Sequence, residues 1–392
     1  MAEQDFEVAV VGLGIMGSCA LWRLARRGVA VVGLDRFDPP HALGSSHGHS
    51  RILRRVQFEG DEYVPLANRA FELWSELERE TGRPLFTRTG LLIIGAAGSQ
   101  LVRGGHESAL RTGVDHELLD AAALRARYPQ HRVADSDRAL FDPDAGYISP
   151  EQAIAAALQL ATALGAAVRT RCEVKRLAAG ATGVELETAG GTLRARHAVV
   201  AVGTWLGSLV PGLASSIGIE RHFFAWVPVR DPARFAPDRF PMFIRENSAR
   251  AGTAIEGSHA HRERILAFGF PTQDGRRIKV GFPITGIPVT SPAVDPAPRP
   301  EELAMVEGGV LGDLLEGAGA EAGDFTACLY DNSPDGDFII GGLPELPGVT
   351  LLGGFSGHGF KHAPAVGEVA AALAVDGRSP LDVSRFSPGR LR

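Results

Sequence analysis

A short apolar strand, Val8-Ala9-Val10-Val11, runs straight into Gly12-Leu13-Gly14-Ile15-Met16-Gly17. A helical apolar pattern follows (Cys19, Ala20, Leu21, Leu24, Ala25), Gly28 stops it, and a second strand from Val29 to Leu34 ends at Asp35. Three glycines at this spacing inside a strand–helix–strand unit leave few folds open. Gly12 permits the tight turn, Gly14 lets backbone approach a pyrophosphate, and Gly17 lets the helix pack closely on the strand. The helix N-terminus then offers its amides to phosphate oxygens. Asp35, 18 residues beyond Gly17, is placed to accept from a ribose hydroxyl. The pattern predicts a dinucleotide site in an α/β fold, without separating FAD from NAD.

The rest of the composition is that of a folded chain. Its 392 residues, 45% hydrophobic and 22% charged, allow two to three domains of about 150 residues and exclude disordered or fibrous classes. No apolar run reaches the ~18–20 residues that span a bilayer, and Val8–Val11 lacks the basic flank of a secretory leader. Cys19, Cys172 and Cys328 are too few and scattered for a disulfide framework or zinc site. We therefore expect a cytoplasmic protein, with no membrane and no metal. A net charge of −6, from 40 basic and 46 acidic residues, argues against a nucleic-acid partner. Local cations must then hold any anionic substrate. Lysine stands only at 175, 279 and 361, against 37 arginines. A GC-rich gene explains the bias plainly; yet arginine cannot replace a compact ammonium in a confined site, which singles these lysines out.

Further motifs follow in order: Pro39-Pro40-His41, Gly44-Ser45-Ser46-His47-Gly48-His49-Ser50-Arg51-Ile52-Leu53-Arg54, Glu62-Tyr63-Val64-Pro65-Leu66, Val199 to Trp205, Ile278-Lys279-Val280-Gly281, Ala327 to Asp335, and Gly354 to Lys361. From Val8 to about Glu368 they resemble the monomeric sarcosine oxidase family, to which N-methyl-L-tryptophan oxidase belongs. Strand–helix order and this resemblance predict a discontinuous Rossmann-like FAD-binding domain (1–85, 145–215 and 322–392) with a mainly antiparallel-sheet substrate domain (86–144 and 216–321). Thr89 to Ile94 reads as a strand. Ser149-Pro150-Glu151-Gln152 reads as a capping box opening a helix to Ala163. Six prolines between Pro283 and Pro300 predict a surface loop before a helix near Glu301.

The resemblance implies FAD, held by a thioether from Cys328. A small buried cysteine is the plainer alternative, and the one taken for Cys19 and Cys172. Around the cofactor it places Gly12, Gly14, Gly17, Asp35, Ser45, His47, Arg51, Val174, Gly203, Trp205, Gly354, Gly357, His358, Gly359 and Lys361. Arg54 and Lys361 match positions that grip a substrate α-carboxylate, for which a guanidinium fork and a point charge are suited; a surface arginine is the alternative for Arg54. Lys279 matches the lysine that stabilises superoxide as dioxygen takes its first electron, against the alternative of an exposed strand lysine. Arg51 is an additional cation, and Tyr330 and His358 line the cavity.

Three positions depart from the sarcosine enzymes. Pro283 stands where they carry histidine, four residues after Lys279; Phe268 replaces a tyrosine and Ile244 a methionine. The stretch Arg245 to Arg264, with His259 and His261, is longer than the family pattern and could reshape the entrance. The reading is a monomeric FAD-dependent oxidase of secondary amino acids, taking an N-methyl amino acid and O2 and releasing peroxide. Its alternatives are an oxidase of a cyclic secondary amino acid or biosynthetic intermediate, an FAD-binding protein without turnover, and an NAD(P)-dependent dehydrogenase.

Overall fold

The first strand, Phe6–Val11, lies at the centre of an eight-stranded sheet, hydrogen-bonded in parallel to Val31–Leu34 and Gly191–Val200. This computed structural model describes residues 6–96, 98–180, 183–246, 265–283, 286–290, 294–307, 309–321 and 323–391. Ala167–Arg169 extends the parallel array beyond Val31–Leu34, and Leu346–Gly353 pairs in parallel with the end of Gly191–Val200. Strands so placed are covered on both faces, which is why they read as unbroken apolar runs. On one face, helices Ile15–Arg26, Pro150–Ala163 and Ala363–Asp376 pack together. The first carries Gly17, Ser18, Cys19 and Ala20 in sequence, all buried. A Cβ on Gly367 would lie 2.6 Å from the Cys19 carbonyl carbon, so glycine there is what lets the first and last helices touch. Trp22 and Trp74, 0% and 1% exposed, anchor this core, each burial contributing roughly 1.5–3 kcal/mol or more.

A nine-stranded sheet forms the second layer. Its pairings are antiparallel except where Met242–Glu246 runs parallel to Leu91–Gly95. Strand Asp324–Asn332 pairs residue by residue with Gly218–Pro228 of this sheet. Strand–helix order and the resemblance place 322–392 with the cofactor unit. Alternating burial cannot show which sheet a strand joins, and nine consecutive backbone pairings decide it. Phe86–Arg88 joins a small three-stranded sheet with Arg51–Leu53 and Gly146–Ile148.

Local expectations translate directly. Ser149 Oγ accepts from Gln152 N at the start of Pro150–Ala163, and Pro300–Glu307 is helical. Within the proline-rich segment Ile287–Pro288 adds two residues to the sheet edge. Among the described residues no helix is long and apolar enough to cross a membrane.

Candidate active site

A cleft of about 510 Å³ lies between the layers, lined from Gly12 and Asp35 at one end to Arg54, Glu59, Phe268 and Lys361 at the other. At its first end the glycine turn leaves no room for side chains. Gly12 has φ +87°, and a Cβ there would sit 2.6 Å from the Ala201 oxygen; one on Gly17 would sit 1.8 Å from the Gly12 oxygen. Gly14 begins helix Ile15–Arg26 without a side-chain cap and lines the cleft with Ile15 and Met16. Asp35 is held buried by the amides of Leu13 (2.7 Å) and Phe37 (2.8 Å). Arg36, Val174, Gly203 and Trp205 continue the wall. A backbone cradle at a helix start, closed by a fixed carboxylate, fits a pyrophosphate and its ribose.

The other end is built on charge. Arg54, 3% exposed, lies 4.0 Å over the Phe58 ring and donates to the Val56 carbonyl and the Glu59 carboxylate. Lys361 Nζ donates to the His358 oxygen at 2.8 Å and stands 3.6 Å from Glu59. Burial lowers the Lys361 ammonium to about 7, although Glu59 pulls the other way. His358 Nε2 bonds the Gly336 oxygen at 3.1 Å, and Nδ1 lies 3.9 Å from Glu59; burial keeps its ring neutral, at about 3. Ile244, Phe268, Phe270 and Pro283 supply an apolar wall to the same cleft. Tyr330 stacks on His222 at 4.1 Å. Gly357, φ +78°, makes space for it, since a Cβ there would meet the Tyr330 ring at 2.6 Å.

Lys279 stands behind this cleft. Its Nζ donates to Gly48 O (2.5 Å), Ser50 O (2.9 Å) and Ser50 Oγ (3.3 Å), and faces the rings of Phe224 (4.4 Å), Phe270 (4.9 Å) and Trp226 (5.7 Å). Burial, then Arg51, pulls its proton affinity well below that of free lysine, while three oxygen acceptors match an ammonium's three donors. At 1% exposure it is no surface lysine. Cys328 Sγ, fully buried, lies 3.5 Å from Arg51 Nη2 and 3.5 Å from the Ser45 oxygen. Burial raises its thiol pKa, and Arg51 opposes this.

A family model described as FAD dependent oxidoreductase matches residues 7–373. A monomeric sarcosine oxidase of Streptomyces avermitilis is 36% identical over 392 residues, 98% of each chain. The chain belongs to the monomeric sarcosine oxidase family of FAD-dependent oxidoreductases. An N-methyl-L-tryptophan oxidase of Yersinia pestis is 35% identical over 390 residues, covering 99% of this chain and 100% of the relative. The solved structure of NikD, an unusual amino acid oxidase essential for nikkomycin biosynthesis, shares the fold at TM-score 0.82, with 23% identity and 98% of each chain covered.

This FAD-dependent amine oxidoreductase draws most of the expected residues into one cleft. Gly12, Gly14, Asp35, Ser45, Arg51, Val174, Gly203, Trp205, Tyr330, Gly357, His358, Gly359 and Lys361 line it, with Arg54, Ile244 and Phe268. Gly17 and Gly354 act through backbone packing instead: a Cβ on Gly354 would meet Ile339 at 2.9 Å. His47 lines a separate cavity with Lys279, beside the turn at Gly48 (φ +94°) and His49 (φ +67°). His259 and His261 lie outside the described residues.

Two acids escaped the sequence reading. Glu59 follows Arg54 by five residues, among the polar and charged residues Arg55, Gln57, Asp61 and Glu62, so nothing local marks it as buried. Glu151 was read as part of a helix start. Its carboxylate instead crosses the fold to accept from Gly48 N (2.7 Å) and His49 N (3.2 Å), a contact that no local pattern reveals.

Proposed function

We propose that this chain is an FAD-dependent oxidase of secondary amino acids, of which N-methyl amino acids are the first class to test. The observation that carries it is the buried pair Arg54 and Lys361 at one end of the cleft that, at its other end, holds the dinucleotide cradle. Curated relatives named for sarcosine and N-methyl-L-tryptophan support it. The family match sets aside the NAD(P)-dependent alternative. Bound FAD supplies a two-electron acceptor for the hydride on the carbon next to nitrogen.

The chain's own residues do the rest. Arg54 and Lys361 fix the α-carboxylate, and Phe268, Ile244 and Pro283 exclude water from the amine and favour an apolar or cyclic substituent. That wall gives specific support to a second reading, a cyclic secondary amino acid. The substrate loses a hydride and its N–H proton to become an imine, which water cleaves to an amine and a carbonyl compound. Lys279 stabilises the charge as dioxygen takes two electrons and two protons to leave as hydrogen peroxide. Peroxide assays across N-methyl and cyclic amino acids test this: formaldehyde accompanies peroxide only on demethylation. No peroxide from any of them overturns the oxidase reading and leaves a binding protein without turnover.

Cys328 is our proposed point of covalent attachment, supported by its place 3.5 Å behind Arg51, which lines the cleft. Denatured wild type stays yellow; Cys328→Ser loses its flavin on denaturation, and Cys19→Ser behaves as wild type. A colourless denatured wild type sinks the tether.

The clamp also carries a pH signature. Lys361 titrates at about 7, so it is charged below that pH and neutral above. Affinity for benzoate is expected to fall as pH rises through about 7 and to plateau once Lys361 is deprotonated. Lys361→Met removes the step; a step of unchanged size in that variant refutes the assignment.

A further inference from the structure

Behind the cleft wall lies a polar pair that neither the cradle nor the clamp uses. Strands Gly218–Pro228 and Asp324–Asn332 run in the register Glu220↔Tyr330 and His222↔Cys328. Residues two apart along a strand, and residues directly opposite across a pairing, share a face. Glu220, His222, Cys328 and Tyr330 therefore stand together on one face. The His222 ring, 3% exposed, lies on the Tyr330 ring with centroids 4.1 Å and planes 25° apart. Its Nε2 is 3.1 Å from Glu220 Oε2; a carboxylate only accepts, so Nε2–H is the donor. The turn after Pro283 closes over both groups. Gly286 N donates to Pro283 O at 3.2 Å, and a Cβ on Gly286 would lie 2.7 Å from His222 Cε1 and 2.8 Å from Glu220 Oε2.

We propose that Glu220 and His222 are positioning residues: they fix the Tyr330 ring and so set which side groups the cleft admits above the carboxylate clamp. The proposal rests on the reading of Arg54 and Lys361 as that clamp. Among the described residues Tyr330 lines the cleft and His222 does not, so His222 reaches a bound molecule only through that ring. An imidazole bonded at Nε2 cannot turn about its own axis without losing Glu220, and the turn at Gly286 leaves it no room to withdraw. Gly357 bears on the Tyr330 ring as well. The ring is then a rigid wall, which rejects by clash side groups that a yielding wall would admit.

Acetate and benzoate separate the wall from the clamp. Both offer a carboxylate to Arg54 and Lys361, but only benzoate carries a ring into the cleft. Titrating the holoenzyme with each, followed by flavin absorbance, gives the ratio of the two affinities. His222→Ala is expected to weaken benzoate about tenfold, the upper end of what one aromatic pair contributes, and to leave acetate unchanged. His222→Phe keeps a flat ring without the Glu220 bond, so its benzoate affinity lies between those of His222→Ala and wild type. In a Tyr330→Leu background His222→Ala changes the ratio no further, because the pair acts through that ring. Should His222→Ala not fold, Gly286→Ala takes its place: the added methyl presses on the imidazole and lowers the ratio, again only while Tyr330 is present. An unchanged ratio, an equal loss of both ligands, or a full further loss in the Tyr330→Leu background overturns the proposal. The clamp reading fails on a different result, acetate binding as tightly to Arg54→Met and Lys361→Met as to wild type.

Discussion

Lys279→Met is expected to slow the reaction of the reduced enzyme with dioxygen by about 10²–10³-fold, the effect of deleting one preorganised electrostatic group. Anaerobic reduction by substrate changes far less, because the carboxylate clamp is untouched. The ammonium is caged by Gly48 O, Ser50 O and Ser50 Oγ under three aromatic rings. Methionine fills similar length but leaves those oxygens without their donor, at about 1–3 kcal/mol per buried group, so a lower melting temperature accompanies the kinetic change. Lys279→Arg keeps the charge, yet a planar guanidinium does not fit a cage sized for a point donor, and partial rescue is the most it should give. Stopped-flow mixing of the reduced Met variant with oxygen is the decisive measurement. Reoxidation at the wild-type rate removes Lys279 from the oxygen half of the cycle.

Arg54→Met carries two separable effects. Carboxylate binding weakens by about 1.5–3 kcal/mol, the range for hydrogen bonds to charged groups. Stability falls as well, since Glu59, its side chain 4% exposed, loses the guanidinium bonded to it, while Lys361 at 3.6 Å and His358 Nδ1 at 3.9 Å stay near. Breaking a buried pair on one side costs roughly 3–5 kcal/mol. Adding Glu59→Gln removes the stranded charge, so the double variant should recover much of the stability and none of the carboxylate affinity. Thermal melts and benzoate titrations on the four proteins of this cycle separate the terms. Full recovery of binding in the double variant would show that Arg54 serves Glu59 alone.

Much of this architecture is legible in the residues. Gly12, Gly14, Gly17 and Asp35 announce the cradle because each answers a steric or hydrogen-bonding demand made by its immediate neighbours. Ser149 and Pro150 mark a helix start for the same local reason. Arg54, Lys361 and Lys279 could be singled out by chemistry and by resemblance, but not their settings. That Lys279 is caged by carbonyls of a loop some 230 residues earlier, that Glu59 sits between the clamp cations, and that Glu151 secures the Gly48 turn are consequences of tertiary closure. So is the position of His47, which lines the cavity behind the Gly48 turn with Lys279. The strand bearing Cys328 falls, by strand–helix order and resemblance, in the cofactor unit, while its backbone partners lie in the other sheet.

The touching of helices Ile15–Arg26 and Ala363–Asp376 through Gly367 has a bearing on biosynthesis. Gly17, in the wall of the cofactor cradle, and Gly367, in its support, are separated by about 350 residues of chain. A growing chain can pair its first strand with Val31–Leu34 early, but the other edge waits for Gly191–Val200, and the first helix lacks its last neighbour until Ala363–Asp376 is made. A variant cut before Ala363 is therefore expected to lose bound flavin and to aggregate, because that helix face stays uncovered.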